Sequence, residues 1–227
     1  MANFNPTDIT LNQPRPTSDE ATINLSGMKY KILKNSDLFL EINTLLIALQ
    51  GVGIAIELIL TGKVNHTSGD WFTIEAKYLD LRIRLPIVGP IQAALTNISP
   101  EFMEIEVIQG RDKEVQFLHT TSGFQEFVNS IFLPFLVSYF EKNKNGILNK
   151  YPAGRDTWPD AWQMGWAIRN ASSHNGRVFS NKSAKPIHWN QFTFSPNDEP
   201  HKKILTLVNG GDILMLMLEM ENNKVDL

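Results

Sequence analysis

Cysteine is absent from all 227 residues, which removes disulfides, thiolate metal sites and a cysteine nucleophile at once. Histidine is scarce: beyond His174, the residues His66, His119, His188 and His201 show no His-x-x-x-His or His-Glu-x-x-His spacing, so no metal site is expected. The chain has no Gly-x-Ser-x-Gly elbow and no P-loop. Gly51-Val-Gly53 lacks the third glycine and the preceding strand of a dinucleotide fingerprint, so no cofactor is expected either. The N-terminal segment lacks a basic start followed by an apolar run, and a cytoplasmic location is expected. Excess positive charge is missing too. A net charge of −3 argues against a broad nucleic-acid-binding surface and leaves room only for a small pocket.

Hydrophobic residues at 42% and charged residues at 20% are those of a folded domain with a real core. Residues 1–30, rich in Asn, Thr and Pro, read as an extended arm, and 31–227 as one domain. From Ser36 to Thr61, polar Asn43, Gln50 and Glu57 recur every seven residues among Leu38, Ile42, Leu45, Leu46 and Leu49. That is a core helix with one thin polar stripe. Gln50 and Glu57 interrupt the ~20 apolar residues a membrane span needs, so no membrane partner is expected.

Met103, Ile105 and Val107 alternate with Glu104 and Glu106, and Gly110-Arg111-Asp112 offers a turn onto Val115–Phe117, which predicts a β-hairpin. Tyr78 to Leu85 fits strand or helix. Ser122 to Gln125 is a capping box that opens a helix through Phe124, Phe127, Ile131, Phe135 and Tyr139. Pro134 should kink or divide it, and Lys142 to Gly154 reads as a polar linker. Ile187–Phe194 and Ile204–Val208 are strand candidates, and Asn209-Gly-Gly-Asp212 caps a last apolar helix from Ile213 to about Glu221. The fold class expected is mainly α (α+β).

One helix concentrates the chemistry. Thr157 is placed to cap it, Pro159 suits its first turn, and Asp160 complements its positive end. Trp158, Trp162 and Trp166 form a ladder suited to packing or a dimer interface. The helix should run from Trp158 to Asn175, where Gly176 stops it. Near its end stand Arg169, Asn170 and His174: a fixed positive charge, an amide that donates and accepts, and a group that titrates near neutrality. Phosphodiester cleavage asks for such a set. On a continuous helix Asn170 and His174 share a face, whereas Arg169 and His174 lie about 140° apart around the axis. A two-fold dimer that pools both copies would complete the site.

The order Arg169-Asn170-x-x-x-His174 resembles the signature of the HEPN superfamily, many of whose members are metal-independent RNases acting as toxins or antiviral effectors. The resemblance implies a helical bundle, to which the β segments would be small hairpin additions. It implies RNA as substrate, a homodimer with the cleft between two signature helices, and Arg169, Asn170 and His174 as catalytic residues. An inhibitor or antitoxin protein is a further implied partner. Gly176 stands where some toxin members carry a modifiable tyrosine, so that subtype is not implied. The rival reading is a non-catalytic dimeric scaffold that binds protein or nucleotide.

Overall fold

The computed structural model describes residues 8–10, 29–61, 71–76, 79–86, 101–110, 122–174, 178, 185–195, 204 and 207–224. The chain runs β1 (Asp8–Thr10), β2 (Lys29–Leu33), α1 (Asp37–Thr61), β3 (Trp71–Ala76), β4 (Leu81–Pro86) and β5 (Phe102–Gln109). It continues with α2 (Ser122–Lys150), a 3-10 turn (Arg155–Thr157), α3 (Asp160–Ser172), β6 (Ile187–Trp189), β7 (Phe192–Phe194) and α4 (Gly210–Asn222).

The expected helical bundle is overturned by a five-stranded sheet in the order β1-β2-β5-β4-β3. Its last four strands are antiparallel, and β1 joins β2 in parallel at the edge. Strand periodicity explains why the sheet is a full layer. Tyr30, Ile32, Met103, Ile105, Val107, Leu81, Ile83, Leu85 and Ile74 point inward and are buried. Lys29, Lys31, Glu104, Glu106 and Arg84 point outward, with Lys29 paired to Glu104 and Arg84 to Glu106.

The strand expected at Met103–Val107 is present, but it pairs with β2 and β4; Val115–Phe117 lies outside the described residues. The ambiguous stretch before Leu85 is a strand entered by a turn at Asp80, whose φ is 53°. Likewise, Ile187–Phe194 is a hairpin that turns at Asn190, φ 51°. Ile204 is 3-10 and Val208 is irregular, where a strand was expected.

Helix α1 packs Leu38, Ile42, Leu45, Leu46 and Leu49 into the core, although Asp37–Ile54 is by length and composition apolar enough to cross a membrane. Among the described residues of its polar stripe, neither Asn43 nor Gln50 is fully exposed. Gln50 is buried and donates to the Pro86 carbonyl at 2.7 Å, while Leu40 is 65% exposed.

Pro134 neither divides α2 nor ends it. It and Ser130 lie on the exposed side, so the backbone bond that proline cannot make faces solvent. The expected linker from Lys142 continues the helix to Lys150, held by buried Asn143, which donates to the Tyr139 carbonyl at 2.9 Å, and by buried Ile147.

Helix α4 is buried from Gly210 to Glu221 and packs against α2, α3 and β3. The expected Asn209–Asp212 capping box is formed. Close approach explains the glycines beside it: a Cβ on Gly211 would lie 2.2 Å from the Glu75 carbonyl oxygen of β3. Gly211→Ala should therefore destabilise the fold by about 1–3 kcal/mol or more. Gly51→Ala, with nothing within 4 Å of the new carbon on an exposed helical site, should stabilise it by about 0.5–1 kcal/mol. Urea unfolding measures both, and a Gly211→Ala protein as stable as the parent would refute the close approach.

Candidate functional site

Helix α3 is set by its inner side. Ala161, Trp162, Met164, Gly165, Ala167, Ile168 and Ala171 are buried at helical spacing. Trp162 Nε1 donates to the Met220 carbonyl at 3.1 Å, and its ring lies 6.0 Å from Tyr139 and 5.8 Å from Phe140. Trp158 is buried against Phe140, and Trp166 is only half-buried, so the ladder divides between packing and surface. Thr157 does not cap the helix: its hydroxyl donates to the Gly154 carbonyl at 2.7 Å inside the preceding turn, and Pro159 takes the N-cap position.

The outward stripe of α3 is Gln163, Trp166, Arg169 and Asn170, followed by Ser173 and His174 just past the helix. Arg169 Nε donates to Glu141 Oε1 of α2 at 2.6 Å. Glu141 also accepts from Lys144, so two cations share one carboxylate and positive charge is left over. The Lys144 hydrogen bond, followed by the one from Arg169, holds the Glu141 carboxyl below its ordinary range against the opposing effect of desolvation. Asn170 is half-buried, and His174 is exposed.

The expected continuous helix to Asn175 ends instead at Ser172. Ser172 Oγ donates to the Arg169 carbonyl at 2.7 Å, a local bond that competes with the helix ladder, and Ser173 N turns back to Asn170 O at 3.1 Å. His174 sits in the turn, its N–H 3.1 Å from the Ala171 carbonyl. Ser173 keeps right-handed helical angles, φ −83° and ψ −8°, so His174 follows Arg169 on a last turn tightened to i to i+3 bonds.

Sequence reasoning missed Glu141 and Lys144. Only the alternation of charge at 141, 142 and 144 hinted at them, and the linker reading from Lys142 onward obscured the helix that carries them. His188 is exposed on β6, with Nδ1 3.1 Å from Thr193 Oγ1. Gly176, His66, His119 and His201 lie outside the described residues.

Compared with known proteins, the chain matches no family model, no curated protein and no solved structure.

A carboxyl whose folded pKa is depressed contributes stability that is full above its unfolded value and is lost as pH falls through the folded one. Acidification below about pH 4.3, the ordinary glutamate value, should thus loosen the α2–α3 junction. Glu141→Gln should remove part of the acid slope of stability. Melting curves from pH 6 to 3 measure this, and an identical slope in the variant would sink the assignment.

Proposed function

We propose that the exposed end of α3 is a metal-independent endoribonuclease site. Arg169, held by Glu141, stabilises charge on the phosphorane. His174 takes the proton of the attacking 2′-hydroxyl or returns one to the leaving 5′-oxygen. Asn170 orients the phosphate or the imidazole. The new 2′-O–P bond replaces the 5′-O–P bond, so the products are a 2′,3′-cyclic phosphate and a 5′-hydroxyl. The observation that carries this reading is the sharing of one carboxylate by Arg169 and Lys144, beside an exposed histidine at a helix C-terminus. A carboxylate on the Nε edge fixes the guanidinium, and the second cation, Lys144, keeps the local charge from cancelling. The Arg-Asn-x-x-x-His order resembles the HEPN signature and points the same way; the bundle once attached to it plays no part. A working dimer and a protein inhibitor remain within this proposal.

The 2.6 Å Arg169–Glu141 bond also favours a rival: a clamp between α2 and α3 in a non-catalytic scaffold. Purified protein incubated with RNA in EDTA separates the two. Cleavage should persist in EDTA and fall about 10²–10⁴-fold in His174→Ala and about 10²–10³-fold in Arg169→Ala. Mixing the two variants restores activity if the site is shared between copies. Unchanged cleavage by both folded variants would leave the scaffold reading standing.

A further inference from the structure

The motif does not account for the rest of the outward stripe of α3. Trp166 precedes Arg169 by three residues and Asn170 by four, so all three lie on neighbouring ground, roughly one turn apart. Arg155, from the 3-10 turn before the helix, reaches back over Trp166 with its guanidinium carbon 3.9 Å from the ring centroid. A planar cation thus lies on a half-buried indole, one turn from the arginine of the motif.

Two further observations mark this place. Arg155 Nε and Trp158 Nε1 are buried donors with no acceptor among the described residues. Their backbones are joined by the 2.9 Å bond from Trp158 N to Arg155 O, an i to i+3 link of the 3-10 turn. Charge is also unbalanced, since Arg155 and the 75% exposed Lys185 lie 3.8 and 3.9 Å from the single carboxylate of Asp156. The pattern around Glu141 recurs: two cations, one acid. In a chain of net charge −3, cations thus gather on Asp156 at one end of this edge and on Glu141 at the other, with Asp160 in the first turn of α3 offsetting the former.

We propose that the Arg155–Trp166 stack is a nucleotide subsite that holds an unpaired base of an RNA strand whose adjoining phosphate reaches Arg169. A nucleobase offers a flat face to the guanidinium–indole stack, and Lys185 and Arg155 attract the backbone. A base already stacked in a duplex cannot enter, so the subsite selects single strands. The inference rests on reading the end of α3 as an RNA site.

The test is fluorescence anisotropy with a short labelled single-stranded RNA, and with the same strand annealed to its complement, on the full chain carrying His174→Ala to prevent cleavage. The parent should prefer the single strand. Arg155→Lys, which keeps the charge and loses the plane, should weaken single-strand binding roughly tenfold or more and leave duplex binding unchanged. Trp166→Phe should fall between the two, and Arg155→Lys serves alone if the tryptophan variant does not fold. Equal affinity of parent and Arg155→Lys, in a chain that without the His174 change cleaves RNA, would overturn the subsite and leave the ribonuclease reading intact. Absence of both cleavage and binding in the unaltered chain would overturn both.

Discussion

A helix buried on every side must hand each polar group to a partner, and α4 does this three times over. Asp212 accepts from the Asn209 and Leu79 backbone N–H groups, at 3.0 and 3.3 Å. Glu219 accepts from Trp189 Nε1 at 2.7 Å and Asn190 Nδ2 at 3.0 Å. Glu221 accepts from Ser36 Oγ at 2.5 Å and from the Tyr139 hydroxyl. An unpaired carboxylate at such depth would be prohibitive, so these contacts decide where the partners must stand. Through them α4 fixes the β3–β4 hairpin, the β6–β7 hairpin, the start of α1 and the middle of α2. Burial and then the charge of Glu221 push the Tyr139 hydroxyl well above its ordinary pKa, which keeps it protonated as the donor.

The same constraint places the candidate site. Trp162 bonds to the Met220 carbonyl, and Gly165 leaves room for the Met220 thioether, so the inner side of α3 is locked onto α4. What α3 shows to solvent is then a rigid row, not a mobile loop. The unbroken course of α2 past Pro134 brings Glu141 to Arg169 and Lys142 to Asp37, at 2.6 and 3.0 Å. Had the helix stopped at Tyr139, neither carboxylate pairing could form and α3 would have lost its neighbour.

What the sequence made legible was local. The helix at 37–61, the capping box at Asn209, the strand at Met103–Val107 and the amphipathic α3 all declare themselves by period or cap. The rest depends on contacts across the chain. Glu221 meets Ser36 across 185 residues and Arg169 meets Glu141 across 28, and no spacing rule encodes either. Polar residues misled for one reason: Asn143 was counted toward a linker and Gln50 toward a polar stripe, whereas both are buried. The sheet was underweighted because β2 and β4 are short and their partners are distant in sequence. The early end of α3 was readable in principle, since Ser172 and Ser173 compete for helix carbonyls, but the glycine at 176 looked like the stronger stop.

Ending α3 at Ser172 also changes what kind of site its end can be. On a continuous helix, Arg169 and His174 would be turned apart by fixed geometry, and a second copy would be needed to reunite them. Ser173 keeps helical angles, so His174 follows on a tightened last turn, while Arg169 stays fixed by Glu141. One group is anchored on a rigid element and the other is carried two residues past its end.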